Sequence, residues 1–67
     1  MIELSINGKL KRLDDNTDVA RLLESLQIAG KRIAVEKNGQ IVPRSRFAQT
    51  PLGHGDQLEI VVAVGGG

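Results

Sequence analysis

Residues 57–67 read Gln-Leu-Glu-Ile-Val-Val-Ala-Val-Gly-Gly-Gly, an alternating strand pattern that runs directly into three glycines. Successive side chains of a strand point to opposite faces of a sheet, so the apolar residues at positions 58, 60, 62 and 64 are predicted to share one face. The other face then carries Glu59, Val61 and Ala63. Apolar groups on an uncovered sheet face hint at a partner surface, and we assign that role to these three residues as a hypothesis.

The three glycines that follow, Gly65, Gly66 and Gly67, have no side chains, and we expect them to form a thin, mobile tail. Such a tail can enter a slot too narrow for any side chain. Its distinctive group is the α-carboxylate of Gly67, which is ionised at neutral pH and therefore unreactive towards nucleophiles until it is activated. The pattern is typical of an acyl carrier, and a frayed end or an expression scar is the alternative that the glycines alone leave open.

Composition excludes several other classes of protein. The 67 residues predict a single domain, residues 1–67, and the absence of cysteine removes disulfides, thiolate metal sites and carriage of a group on a thiol. A net charge of +1 and a single aromatic residue, Phe47, disfavour nucleic-acid binding. The apolar run at residues 60–64 is too short to span a membrane, and no signal-peptide pattern opens the chain, so we expect a cytoplasmic protein.

Two Asn-Gly pairs, which begin at Asn7 and Asn38, predict type I′ hairpins between residues 1–6 and 9–13 and between residues 33–37 and 40–43. The apolar residues of the second strand, Leu10 and Leu13, are out of phase, which predicts a bulge or an early strand end. Pro43 cannot donate to a sheet ladder and therefore predicts an edge position for the fourth strand.

One amphipathic helix is predicted between the hairpins, because the apolar residues at positions 19, 22, 23 and 26 form one stripe. Thr17 is the expected N-cap and Gly30 the expected C′ glycine, which gives about three helical turns. The element order is strand, strand, helix, strand, short strand, strand. This order predicts an α+β protein of the β-grasp type, with a mixed sheet of four to five strands, one helix on one face and the last strand in the middle.

No constellation of residues composes an active site, so we do not expect an enzyme. His54 lies between two glycines without a paired nucleophile and is interpreted, with Asp56, as part of a turn. The aspartates at positions 14, 15 and 18 lack the spacing of a calcium loop and are interpreted as acids at the start of the helix. We expect no metal and no bound cofactor.

The tract Asn-Gly-Gln-Ile-Val-Pro-Arg-Ser-Arg-Phe at residues 38–47 resembles the ThiS family, the sulfur carrier proteins of thiamin biosynthesis within the MoaD/ThiS superfamily. The pattern Thr-x-Leu-x-x-Gly-Asp-x-x-Glu-Ile-Val at residues 50–61 and the closing Ala-Val-Gly-Gly-Gly resemble it as well. The likeness extends over the whole chain. Family members often have Trp or Tyr where Phe47 stands, which is a conservative departure.

The resemblance implies a ubiquitin-like β-grasp protein whose terminal glycine, here Gly67, is adenylated by a ThiF-like adenylyltransferase that uses ATP. Sulfur from cysteine, delivered through a cysteine desulfurase, then converts the terminus to a thiocarboxylate. The thiocarboxylate donates its sulfur to a ThiG-like thiazole synthase for the thiazole moiety of thiamin. Carried over to this chain, Val64, Gly65 and Gly66 enter the partner pockets. The same tail chemistry is compatible with a molybdopterin synthase small subunit, a ubiquitin-like modifier that forms isopeptide bonds through Gly67, or a plain interaction module.

Overall fold

Five strands, one α-helix and one 3₁₀ helix follow one another along the chain. They are β1 (Ile2–Ile6), β2 (Lys9–Leu13), α1 (Val19–Ser25), β3 (Ile33–Lys37), β4 (Gln40–Val42), the 3₁₀ helix (Arg44–Gln49) and β5 (Gln57–Val62). The computed structural model describes residues 1–63. The predicted roles of Val64, Gly65, Gly66 and Gly67 therefore lie outside the described residues.

The strands form one mixed sheet in the order β2-β1-β5-β3-β4. Strand β5 runs parallel to β1, with Ile6 opposite Leu58, and antiparallel to β3, with Ile33 opposite Val62. The predicted β-grasp is confirmed, and so is the central place of the last strand. Pro43 follows β4, which lies at a sheet edge as predicted, and the next residues form the 3₁₀ helix that buries Phe47.

The hydrophobic core lies between α1 and one face of the sheet. Its most deeply buried side chains are Val19 and Leu22 from the helix and Leu4, Val35 and Leu58 from three neighbouring strands. The predicted stripe of α1 therefore faces the core, while the opposite sheet face is uncovered. No helix within residues 1–63 is long and apolar enough to cross a membrane.

The first turn of α1 is capped by Asp18, so the prediction of Thr17 as N-cap is wrong by one residue. The Asp18 carboxylate oxygen Oδ1 accepts a hydrogen bond of 2.8 Å from the Arg21 backbone N–H. An N-cap side chain usually accepts such a bond from a backbone N–H of the first helical turn. Thr17 instead bonds backwards, since its hydroxyl Oγ1 donates to the Asp14 carbonyl over 2.9 Å. Threonine and aspartate are both common N-cap residues. The Thr17 hydroxyl is already bonded to the Asp14 carbonyl, so Asp18 caps the helix.

The helix also ends earlier than predicted, after about two turns. Gln27 takes the left-handed conformation at φ 61°. The N–H of Gln27 bonds to the Glu24 carbonyl, and the N–H of Ile28 reaches back to the Leu23 carbonyl. These two bonds form the Schellman motif, in which the left-handed residue is usually glycine. Gly30, the predicted C′ residue, lies in the following turn at φ 90°.

Replacement of Gln27 by glycine is expected to stabilise the protein by about 0.5–1 kcal/mol, because a residue with a Cβ is disfavoured in the left-handed region. The exposed Gln27 side chain contributes no core contact that the change would remove. For a domain of this size the melting temperature should rise by roughly 4 °C, as measured by circular dichroism. The control is Gln27→Ala, which retains the Cβ and should give no increase; an increase in both variants would contradict the explanation.

Both Asn-Gly turns have the predicted geometry, with φ values of 51° and 83° at Asn7 and Gly8. Neither the bulge nor the early strand end predicted for β2 occurs, because the pairing with β1 is continuous from Ile2 opposite Leu13 to Ile6 opposite Lys9. The two leucines of β2 are out of phase because Leu10 points to the uncovered face. Leu10 remains 75% exposed there.

Candidate functional site

The base of the predicted tail is the carboxyl end of β5, which is held on its β3 side up to the last described residue. Val62 lies opposite Ile33, and one residue further the Ala63 N–H donates to the Arg32 carbonyl over 2.9 Å. The chain is thus hydrogen-bonded to the sheet as far as Ala63. This bond fixes the position of the last described residue at the end of the sheet.

On its other side, β5 pairs with β1 as far as Leu58, and beyond that residue it is held by a side chain. Strand β1 ends at Ile6, opposite Leu58, so the later residues of β5 have no β1 residue beside them. The side-chain amide of Asn7 makes the next hydrogen bonds to β5, at Ile60. Its Oδ1 accepts from the Ile60 N–H over 2.8 Å, and its Nδ2 donates to the Ile60 carbonyl over 3.1 Å. One asparagine side chain therefore extends the hydrogen bonding on this side of β5 by two residues towards the tail, from Leu58 to Ile60.

Asn38, the asparagine of the second hairpin, makes hydrogen bonds at the amino end of β5. The Gln57 N–H donates to Asn38 Oδ1 over 2.9 Å, and Asn38 Nδ2 donates to Asp56 Oδ1 over 3.0 Å. The sequence predicted Asn7 and Asn38 only as turn formers. Their bonds to β5 connect residues 53 and 19 positions apart, and no local sequence pattern indicates such a distant partner.

Replacement of Asn7 by glycine is expected to lower the free energy of unfolding by about 1–2 kcal/mol, since two hydrogen bonds to Ile60 are lost while the positive φ remains allowed. Urea denaturation measures the loss, and faster hydrogen exchange of the Ile60 amide should accompany it. Asn7→Asp, which keeps the acceptor for that amide and removes the donor, should lie between glycine and the wild type. Unchanged stability of Asn7→Gly would contradict the bracing role.

The predicted partner residues Glu59, Val61 and Ala63 are all exposed, as the alternation of β5 requires. Val61 lies opposite Ala34 and is 64% exposed, near the carboxyl end of the central strand on the uncovered face. A further exposed apolar side chain on this face is Ile41 of β4, which the sequence analysis did not single out. The structure thus brings the predicted residues together on one open surface, and their contact with a partner stays a prediction.

His54 and Asp56 organise the turn before β5, as interpreted from the sequence. The Glu3 N–H donates to His54 Nδ1 over 3.1 Å, and the Gly53 N–H donates to Asp56 Oδ2 over 2.7 Å. Lys37 lies 3.8 Å from the same carboxylate oxygen. These contacts account for both side chains within the sheet scaffold. Among residues 1–63, no three histidines or acidic residues are grouped closely enough to hold a metal ion.

Comparison with protein families gives a match to the model of the ThiS family over residues 4–67. The chain is 38% identical over 65 residues to the sulfur carrier protein ThiS of Bacillus subtilis, and the alignment covers 96% of this chain and 98% of that protein. Among solved structures, the crystal structure of a thiamine biosynthesis protein (ThiS) from Geobacter metallireducens superposes with a TM-score of 0.81. That alignment has 33% identity and covers 98% of this chain and all of the other.

A second group of relatives is much longer than this chain. The thiazole synthase of Paramagnetospirillum magneticum is 41% identical over 66 residues, and that of Magnetococcus marinus is 32% identical over 66 residues. Each match covers 98% of this chain but only 20% of the relative. The chain therefore spans about a fifth of the length of these two proteins.

Proposed function

The chain belongs to the ThiS family, and from this membership we propose that it is a sulfur carrier protein of thiamin biosynthesis. The carrier group is the terminal carboxylate of Gly67. The partners are a ThiF-like adenylyltransferase, a cysteine desulfurase that supplies sulfur, and a thiazole synthase that accepts it. The protein acts as a co-substrate of these enzymes in the cytoplasm and has no active site of its own.

The observation that carries the proposal is the central position of β5 directly before the glycines. Its two ladders and the Asn7 brace hold the strand from Gln57 to Ala63. A rigid base lets the domain dock while the last residues, which carry no side chain beyond Val64, reach a distant active centre. Two relatives that contain a similar sequence within a thiazole synthase support thiazole synthase as the acceptor.

The proposed chemistry begins with two steps, the first at a carboxylate oxygen of the terminus and the second at its acyl carbon. A carboxylate oxygen of Gly67 attacks the α-phosphorus of ATP, which releases pyrophosphate and leaves an acyl adenylate. A sulfur nucleophile derived from cysteine then attacks the acyl carbon, and the carbon–oxygen bond to AMP breaks. Because the nucleophile is the terminal sulfur of a desulfurase persulfide, the product is an acyl disulfide. A thiol then attacks the cysteine sulfur of the desulfurase, the sulfur–sulfur bond breaks, and the terminus leaves as a thiocarboxylate, whose sulfur is a far better nucleophile than the original oxygen. The adenylate supplies the leaving group that an ionised carboxylate lacks.

Glycine at positions 65, 66 and 67 fits a narrow catalytic slot, because any Cβ would widen the chain at each position. Val64 would be the first side chain at the mouth of the slot. These four residues are therefore proposed to enter the partner pockets of both the activating enzyme and the thiazole synthase. Such a slot would exclude most other chain ends by size alone.

The open sheet surface at Glu59, Val61 and Ala63 is proposed to contact the activating enzyme. Val61→Lys should weaken binding to that enzyme about tenfold, since a charge would replace an exposed apolar group near the base of the tail. Isothermal titration calorimetry with the ThiF-like enzyme measures the effect. The control is Leu10→Lys on the edge strand of the same face, which should bind like the wild type. Equal affinities for Val61→Lys and the wild type would contradict this surface.

Intact-mass spectrometry tests the proposed function directly. The protein is incubated with the ThiF-like enzyme, ATP, a desulfurase and cysteine, and replacement of one oxygen by sulfur at the terminus is the expected result. Covalent adducts on lysines of other proteins would instead identify a ubiquitin-like modifier. Transfer of the sulfur to a molybdopterin precursor rather than to thiazole would identify a molybdopterin synthase subunit. No ATP-dependent change in mass would overturn every carrier or modifier function.

A further inference from the structure

Three exposed cations lie at the end of the domain where β5 leaves the sheet, and we call them the basic collar: Lys31, Arg32 and Arg44. Because β3 is antiparallel to β5, the residues before β3 lie at this end, and the Arg32 carbonyl bonds to Ala63 itself. Arg44 Nη2 donates to the Lys31 carbonyl over 3.1 Å, which holds the guanidinium beside them.

The positive charges of the collar are not neutralised within residues 1–63. The ion pairs in this part of the chain join Glu3 to Arg12, Asp56 to Lys37 and Asp15 to the amino group of Met1. None of them involves a collar residue. Within residues 1–63, the polar contact made by a collar side chain is that of Arg44 with a carbonyl oxygen, which leaves the positive charge of Arg44 available to a partner.

Acidic residues gather at the opposite end of the sheet. Five of the eight carboxylates lie near the start of β1, after β2 or before β5: Glu3, Asp14, Asp15, Asp18 and Asp56. Glu36 and Glu59 face each other in the middle of the open sheet surface, and Glu24 lies on the exposed side of α1. Three of these five carboxylates belong to the ion pairs named above, whereas the collar cations belong to none of them, so the collar end keeps a positive charge although the net charge of the chain is only +1.

The two ends are far enough apart to act separately in solution. The six residues of β5 span roughly 20 Å at about 3.3 Å per residue. This length is about twice the Debye length of roughly 8 Å at physiological ionic strength. A partner that approaches the tail therefore meets the field of the collar with little cancellation from the acidic end.

We propose that the basic collar docks against a rim of carboxylates around the tail-accepting slot of the thiazole synthase and steers the tail into that slot. This inference rests on the proposed function, because it deepens the assignment of thiazole synthase as the acceptor. Electrostatic steering acts mainly on the association rate, which favourable charges raise by roughly 10- to 1,000-fold. In this proposal the collar speeds association with the thiazole synthase, and Gly67 carries the sulfur that is transferred.

The test compares two double variants with the same change in net charge. K31E/R32E reverses the sign of the two collar charges beside Ala63, and K11E/R12E reverses the sign of two exposed charges on the edge strand β2. Surface plasmon resonance measures association with a thiazole synthase that lacks a carrier segment, between about 50 mM and about 300 mM salt. Association of K31E/R32E should be at least about tenfold slower at low salt and nearly independent of salt, while K11E/R12E should stay within about threefold of the wild type.

Three further outcomes are decisive. Equal slowing by both double variants would show an effect of net charge alone and would overturn the collar. Wild-type association by K31E/R32E would overturn it too, while the proposed function would stand because the wild type still binds. If the wild type itself fails to bind, both the collar and the acceptor assignment are wrong. Melting curves and ATP-dependent mass change with the activating enzyme establish that both variants are folded and competent for activation.

Discussion

Removal of Gly66 and Gly67 is expected to abolish the formation of thiocarboxylate completely while the domain stays folded. The truncated chain would end at Gly65, two residues short, so its carboxylate could not reach the α-phosphate of ATP bound in the activating enzyme. Each residue contributes at most about 3.3–3.6 Å of reach, whereas acyl transfer requires the reacting atoms to approach within roughly 3–3.5 Å. Intact-mass spectrometry after incubation with enzyme, ATP, desulfurase and cysteine measures the loss.

The melting curve of the truncated protein provides the control. The buried core residues lie between Leu4 and Ile60, and the last hydrogen bond described for β5 ends at Ala63. The truncation removes none of these contacts, so its melting temperature should match that of the full chain. A large decrease would show that the tail contributes to the fold, which would contradict its role as a separate carrier segment. Residual sulfur transfer would contradict Gly67 as its site.

Replacement of Leu22 by alanine is expected to leave a large fraction of the protein unfolded at 25 °C. Leu22 is fully buried between the single helix and the sheet, and such a change costs about 3–4 kcal/mol in lost burial and cavity formation. A single hydrophobic core in a chain of this size rarely supplies more than about 3–5 kcal/mol of stability. The small domain has a single layer of core side chains, so little remains after the loss. Circular dichroism with urea titration measures the free energy of unfolding.

The matched control is Leu10→Ala, which removes the same atoms from a position that is 75% exposed. Its free energy of unfolding should change by less than about 0.5 kcal/mol, as for ordinary surface substitutions. Because the same atoms are removed in both variants, the difference between their free energies of unfolding measures the effect of burial. Comparable destabilisation by both changes would show that Leu10 is buried in solution, for example by self-association through the uncovered face.

The sequence predicted the elements and their order because each has a local cause. Alternation at residues 57–62, the stripe of α1 and the Asn-Gly turns depend on neighbours within a few positions. The central position of β5 also followed, since a hairpin, a crossover helix and an edge strand ending at Pro43 leave it few alternatives. The uncovered face, with Val61 on it, could be predicted for the same reason.

What could not be predicted depends on distant or competing contacts. Asp18 and Thr17 are comparable caps, and the choice arose from the bond between Thr17 and Asp14. Gln27 ends the helix in a conformation that favours glycine, so the sequence pointed to Gly30 instead. The braces from Asn7 and the basic collar depend on the sheet topology, which brings residues far apart in sequence to one end of β5.

The placement of β5 also has a mechanical consequence. A pull on the carboxyl end, as when a docked tail is withdrawn from a partner, acts along the strand axis. Hydrogen bonds to β1 and β3 lie across that axis on both sides, so they bear the load together in shear. If an edge strand were pulled perpendicular to its axis, its hydrogen bonds to the sheet would instead break one after another. The central position of β5 therefore favours resistance of the domain to a force applied at its carboxyl end.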